Sequence, residues 1–417
     1  MRFLPSGRSR LCLQISLLAI MVHPAQAVIL LTGDNAANQT APDAARTDIF
    51  NAVGQVVNGA GVGGFGSAVA IRGKYVLTAN HVSVTTGSHI TFDGVALYER
   101  DTAFAPVKIG VADLKLIKLL EDPGLNEVKL FDAAQGDVPY DEGEPPETIF
   151  TTATIVGVGR GRDPGDNDGN TVWDWASSST MAKRWGTNRI EGSVLVGYQS
   201  QDYEALVTTL EASSGNDEAA VVSFDSGCGM FVEHAGEWKL AGIATAVETG
   251  GSSTFDDADG DQNYFVRITS YAAAVEAAIP DLTTYAGWKV DHSLYGGNGN
   301  DDADGDGDGI PLLLEYALGG LPDEMSQDVL PVQQLTEDGP STYLELVVTR
   351  PIGLQNISYV PQTTTDLANW PLDSAGILDD SPTAVDNGDG TETLVYRRAA
   401  AVTAQDHAFI RLQVVAN

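Results

Sequence analysis

The chain of 417 residues is too long for one ordinary hydrophobic core, so two to four domains are expected. Its 23 Lys and Arg against 57 Asp and Glu leave a formal net charge of -34, which argues against nucleic acid and anionic membrane surfaces as partners, because phosphate contacts need basic side chains. A hydrophobic content of 43% with six Trp, 13 Tyr and 12 Phe excludes a disordered chain.

Residues 1–27 read as a secretory signal: Arg2, Arg8 and Arg10 make a basic start, Leu11 to Val22 is an apolar run too short to span a bilayer, and Ala25-Gln26-Ala27 fits signal-peptidase cleavage. The mature chain then begins at Val28. No later stretch is apolar enough to anchor it, so a secreted or periplasmic protein without stable membrane insertion is expected, with the extracellular location favoured. Cys12 lies inside the signal and leaves Cys228 as the only mature cysteine, which rules out an intramolecular disulfide framework. Cys228 reads as a small buried side chain.

From residue 48 to 125 short apolar runs alternate with glycine turns, as in Ile49 to Val57, Gly64 to Ile71 and Tyr75 to Thr78. The habit returns over 148–268 in Ile149 to Gly159, Ala219 to Val222 and Lys239 to Ala244. Both stretches predict strands, and two such halves predict two barrels. Asp163 to Asp174 and the acidic run Asp256 to Asp261 read as exposed loops, and Ser270 to Ile279 reads as a helix stopped by Pro280.

Three segments carry chemistry: Thr78-Ala79-Asn80-His81, Asp113 to Leu119, and Ser223-Phe224-Asp225-Ser226-Gly227-Cys228-Gly229. A serine hydroxyl is a weak nucleophile at neutral pH. It needs an imidazole to take its proton and a carboxylate to hold that imidazole in the right tautomer. His81, Asp113 and Ser226 supply this set jointly, although none of them is diagnostic alone.

These segments resemble those of the trypsin-like (chymotrypsin-fold) serine proteases, in particular their exported bacterial branch. Thr78-Ala79-Asn80-His81 is similar to the family's TAAH, Asp113 to Leu119 to its DIALIKL, and Phe224 to Gly229 falls where the family has GDSGGP. Leu240 to Ile243, Tyr264 to Tyr271 and Gly186 to Ile190 resemble further segments of it. The resemblance implies an all-β fold with the active site between two barrels: Ser226 attacks, His81 is general base and then acid, and Asp113 orients the imidazole. It implies an oxyanion hole made by the backbone N–H groups of Phe224 and Ser226. Phe224 departs from the glycine that the family uses to aim this N–H, so a catalytically weak or inactive protease-like binding protein is the alternative to an active endopeptidase. In the specificity pocket the resemblance places Ala220, Thr245, Val247 and Asn263, which implies cleavage of protein or peptide substrates after small uncharged residues. Members that need activation bury a new apolar amino terminus against the residue matching Asp225. Val28 could serve in that way, and an ordinary first strand accounts for the same residues equally well.

Past Pro280 the glycine-rich Gly296 to Asn300 reads as a flexible linker, and Asp304 to Glu315 then fits the spacing D-x-D-x-D-G-x5-E of a calcium loop. The expected ligands of a structural calcium ion are Asp304, Asp306, Asp308, Ile310 and Glu315. Leu313 to Gly320 resembles the LLEYALGG that closes calcium-binding segments of exported bacterial proteins. Thr342 to Thr349, Thr393 to Tyr396 and Phe409 to Val414 predict a small β-sandwich-like domain with a hairpin turn at Asp386 to Gly390. The expected order is signal 1–27, protease domain 28–285, linker with calcium loop 286–325 and C-terminal β-domain 326–417.

Overall fold

The computed structural model describes residues 28–30, 37–135, 151–163, 172–210, 217–248, 254–256, 261–403 and 407–417. The signal segment, the tip of the first acidic loop (164–171) and that of the second (257–260) lie outside the described residues. The flanks of those two tips, Val172–Asp174 and Thr254–Asp256, pair with each other as antiparallel strands.

Seven strands form the first sheet, in the order Tyr98–Glu99, Ser88–Thr91, Val53–Asn58, Gly66–Arg72, Tyr75–Thr78, Lys115–Lys118, Val107–Lys108. The sheet curls on itself. Beyond Glu99 the chain bonds to the strand five places away, through an Arg100–Leu119 bridge, Asp101 N–H to the Lys118 carbonyl at 2.8 Å and Leu120 N–H to the Glu99 carbonyl at 2.9 Å. A closed barrel leaves no exposed edge on these short strands. Val56, Ala68, Ala70, Val76, Ile90, Ile117 and Leu119 fill its interior.

The second sheet runs Arg184–Ile190, Thr151–Gly157, Gly229–His234, Glu237–Glu248, Gln262–Arg267, Gln201–Thr209, Gly192–Tyr198, with Lys129–Leu130 added parallel to the fourth strand. Glu191 N–H donates to the Val207 carbonyl at 3.0 Å and brings the ends of this sheet together. The molecule is therefore all-β in its larger part, two barrels of chymotrypsin-like kind. The fourth strand carries an irregularity between Ala244 and Ala246, so Thr245 sits at a bulge. The helix expected at 270–279 is a 3-10 turn over Ile268–Ser270 followed by an α-helix over Ala272–Ala278.

The segment read as a flexible linker is ordered. Tyr285–Asp291 is a helix, and Gly296–Gly299 is a 3-10 turn whose Gly299 carbonyl accepts from Lys289 Nζ at 3.2 Å. Tyr285, Trp288 and Tyr316 form an aromatic cluster with ring centroids 5.2 to 6.2 Å apart, which joins this helix to the helix Leu312–Leu318. Glycine content marked a linker, but three large rings within reach of one another supply a local core that glycine statistics do not register.

The C-terminal part pairs Val332–Asp338, Ser341–Pro351, Thr391–Arg397 and Val385–Asp386 in one sheet, and Ile357–Thr364 with Phe409–Ala416 in another. Their core of Leu344, Leu346, Val348, Leu394, Tyr396 and Ile410 is completed by Leu318 of the preceding helix. No helix among the described residues is long and apolar enough to cross a membrane.

Candidate active site

His81 follows the strand Tyr75–Thr78 and Asp113 precedes the strand Lys115–Lys118; these two strands pair, with Thr78 opposite Lys115. That register brings the two site residues together from 32 positions apart. Asp113, buried, accepts the His81 backbone N–H at 2.9 Å through one carboxylate oxygen and meets His81 Nδ1 at 2.6 Å through the other. The second contact fixes the proton on Nδ1 and leaves Nε2 free to act as a base. Lys115, two residues beyond Asp113, is also buried and donates from Nζ to the carbonyls of Asn80 at 3.0 Å and Val82 at 2.5 Å. It holds the main chain on both sides of His81. Burial lowers its pKa, while the neighbouring Asp113 acts in the raising direction. The alternation of apolar and basic residues in this strand signals only a half-exposed face, so the role of Lys115 was not legible before the fold was seen.

Ser226 comes from the second barrel and is held against the first. Its carbonyl accepts from Ser67 N–H at 2.8 Å, and the Ser67 carbonyl accepts from Thr78 Oγ1 at 2.7 Å. At Gly227, with φ +90°, an added Cβ would lie 2.0 Å from the Ser67 carbonyl oxygen and 2.4 Å from Thr78 Oγ1. Only glycine lets the two barrels approach this closely beside Ser226. Ser67 is fully buried; its Oγ donates to the Phe224 carbonyl at 3.3 Å and accepts from Val158 N–H at 3.1 Å. A Ser in an apolar strand carries no signal for such a role.

Phe224 has φ +76°, the left-handed region in which a bulky residue is an outlier. Asp225 N–H donates to the Val222 carbonyl at 2.9 Å and closes the turn of which Phe224 is the third residue, a position that glycine ordinarily fills. Phe224 thus adopts a backbone conformation that glycine ordinarily supplies. Asp225 is fully buried. It accepts from Gly159 N–H at 2.7 Å, Val222 N–H at 3.0 Å and the backbone N–H of Val28. Burial pushes its pKa up to about 7, against the lowering effect of those donors and of nearby Arg184. Arg184, itself buried, donates to the Val28 carbonyl at 3.4 Å. Ile29–Leu30 pairs with Ala219–Ala220 as a short strand, and Val28 adjoins Asp225.

Beside Ser226 opens a cavity of about 230 Å³ lined by Trp175, Val221, Val222, Ser223 and the run Ala244 to Val247. Thr245 and Val247 are in that lining. Ala220 and Asn263 are not: Ala220 is buried in its pairing with Ile29, and Asn263 gives its amide to the backbone, accepting from Val221 N–H at 2.9 Å and donating to the Thr208 carbonyl at 3.4 Å. Trp175, which sequence reasoning missed, belongs to the wall. Thr245 Oγ1 also pairs with Tyr203 Oη at 2.8 Å. Across the cleft, the hairpin of Gly192–Tyr198 and Gln201–Thr209 reaches the first barrel, where Asn80 Nδ2 donates to Tyr198 Oη at 2.8 Å and Lys108 Nζ to Gln199 at 3.1 Å. Cys228 is fully buried, and burial raises its thiol well above the ordinary range, which leaves it inert.

A second cluster lies in the segment after the barrels. One carboxylate oxygen each from Asp304, Asp306 and Asp308 fall within 4.8 Å of one another. The loop is shaped by Gly307 N–H and Gly309 N–H donating to Asp304 at 2.8 and 3.0 Å, with Gly309 at φ +88°. Glu315 arrives from the first turn of the helix Leu312–Leu318, 1% exposed, and its Oε2, like Oδ2 of Asp306, is buried without a partner. Burial, and then Asp306, Asp308 and Asp304, push Glu315 up to about 7. Two orphaned carboxylate oxygens facing other carboxylates fit a hard cation such as calcium, and Ile310, buried between them in sequence, stands at the loop position that commonly offers a backbone carbonyl.

No family model matches the chain, and no curated protein matches it. Among solved structures, an inactive serine-to-alanine mutant of Rv3671c from M. tuberculosis H37Rv aligns over 58% of this chain and 94% of its own, at 12% identity and a TM-score of 0.36. A superposition that loose carries no argument, and the fold and site stand on this chain's own topology and contacts.

Proposed function

We propose that the protein is an exported serine endopeptidase in which Ser226 attacks the scissile carbonyl, His81 moves the proton, and the N–H groups of Phe224 and Ser226 receive the oxyanion. The observation that carries this reading is the two-point hydrogen bonding of His81 to buried Asp113, at the barrel junction where Ser226 is held. The described lining of the cavity holds no charged side chain, which favours substrates with a small uncharged residue before the cleaved bond. A fluorophosphonate probe tests the reading: it should label the wild type at Ser226 and leave Ser226→Ala unlabelled. A wild type that folds and takes no label would instead mark a protease-like binding protein, the reading that Phe224 alone favours.

We further propose that Asp304, Asp306, Asp308, Ile310 and Glu315 hold calcium, on the strength of the orphaned oxygens of Asp306 and Glu315. Binding to the folded chain alone stabilises it by mass action, by about 3 kcal/mol at a hundredfold excess over Kd. Chelator is therefore expected to lower the Tm of the wild type by several degrees and to leave Asp306→Ala/Glu315→Ala unmoved. The pH dependence has a definite sign. A carboxyl raised to about 7 favours the folded state while protonated and loses that contribution as pH rises, so the chelated protein should be less stable at pH 8 than at pH 5.5 relative to the calcium-loaded one. Equal chelator effects in the wild type and the double variant would reduce the segment to an acidic turn.

A further inference from the structure

We propose that Arg160 is a positioning residue that holds the oxyanion-hole peptide in its productive orientation, so that Phe224 can stand where only glycine is expected. The proposal rests on the serine endopeptidase reading above and adds a residue which that reading does not use.

The peptide at issue joins Ser223 to Phe224. Its N–H is the donor wanted in the oxyanion hole, and its carbonyl points the opposite way because the peptide is planar and trans. That carbonyl is not free: it accepts from the backbone N–H of Arg160 at 3.2 Å. A flip of the peptide would break this bond and put an acceptor where the oxyanion develops. The side chain of Arg160 makes a second contact in the same place, its guanidinium lying 5.0 Å from the centroid of the Phe224 ring. Arg160 thus grips both halves of the unit, the carbonyl through its backbone and the ring through its side chain.

Three features show why such a grip is needed. Phe224 is held at φ +76°, and a bulky residue remains there only when its surroundings over-determine it. The other polar tie, Ser67 Oγ to the Phe224 carbonyl at 3.3 Å, is at the long end for a hydroxyl donor and acts on the following peptide. Finally, Nε of Arg160 is buried with no hydrogen-bond partner. A guanidinium parked on a ring with a donor left unmet is held there by the ring rather than by an acceptor. Arg160 itself is placed by the adjoining Gly159, whose N–H is bonded to Asp225. The clamp therefore reaches back to the carboxylate immediately before the nucleophile.

The ring contact makes the effect of Arg160 conditional on residue 224, and a double-mutant cycle reads that condition directly. Arg160→Ala and Arg160→Lys are made in the wild type and in Phe224→Gly, and kcat and KM for an alanine-type ester are measured per active site titrated with fluorophosphonate, so that misfolded protein does not count. In the wild-type background Arg160→Ala should lower kcat about tenfold with KM changed less than twofold, and Arg160→Lys, which keeps a cation for the ring, should recover most of the loss. In the Phe224→Gly background, where no ring exists and the backbone adopts positive φ without strain, Arg160→Ala should change kcat less than twofold. An equal loss in both backgrounds, or no loss in the wild type, overturns the proposal while leaving the endopeptidase reading intact. A wild type that takes no probe overturns both.

Discussion

Peptide hydrolysis is expected to fall by about 10⁴- to 10⁶-fold in Ser226→Ala, and by a comparable factor in His81→Ala, with no further loss when the two are combined. The reason is the geometry of His81. Asp113 takes both its backbone N–H and Nδ1, so the imidazole has one remaining nitrogen and one orientation in which to serve the serine. On the proposed reading the two groups act as a single device, and removing either removes the whole of it. Asp113→Asn tests the same contact more gently, because an amide nitrogen facing Nδ1 favours the wrong tautomer and should cost orders of magnitude in kcat with the fold unchanged. Initial rates on a small-residue ester, with circular dichroism to check the fold, decide the matter. Residual activity near wild type in both single variants would end the triad assignment.

The second large effect is expected at the amino terminus. With an amide N–H of Val28 as donor, Asp225 remains a buried carboxyl raised to about 7; with a free α-ammonium at Val28 it gains a full counter-charge. A chain that keeps residues ahead of Val28 should therefore turn over at least tenfold more slowly than one that starts there. It should also lose stability relative to the mature form as pH rises from about 4 to 7, on a scale of ~4 kcal/mol at most, because ionising Asp225 there is uncompensated. In a chain that starts at Val28 the loss with rising pH moves to the alkaline end: the α-amino group gives up its proton as pH climbs past about 8, and activity should decline with it. Turnover and Tm across pH for the two forms provide the measurement. Identical profiles would mean that Arg184, buried alongside, already balances Asp225 without help from the terminus.

The parts of the site legible in the sequence were those whose chemistry sits in one short segment. His81, Asp113 and Ser226 were legible only as a joint pattern, since none of them is diagnostic alone. Alternating apolar runs likewise marked the strands of both barrels. What escaped notice depends on approach between segments far apart in the chain. Ser67 matters because Gly227 lets two barrels touch, Trp175 because its bridge to Arg162 sets it in the cavity wall, and Tyr198 because a hairpin crosses the cleft to Asn80. Ala220 and Asn263 border the cavity without entering its lining: Ala220 packs in one cluster with Val222, Trp175 and Val247, and Asn263 lies opposite Val247. Matching position by position assumes an unbroken register, and pairing with Ile29 on one side and a bulge at Thr245 on the other decide which side chains face the cavity.

The C-terminal part is fastened to one barrel more than to the other. At the end of the helix Tyr285–Asp291 the chain meets the barrel that carries His81 and Asp113: Lys74 Nζ bonds the Asp291 carbonyl at 3.0 Å, and Ser293 joins the fully buried Lys118–Asp101 pair with both contacts at 2.8 Å. A pull on the C-terminal β-domain is therefore delivered through polar bolts into the barrel that carries His81 and Asp113. The barrel that carries Ser226 is left as the half that rides on an anchored frame, and the cleft between them is where mechanical load on this molecule is felt.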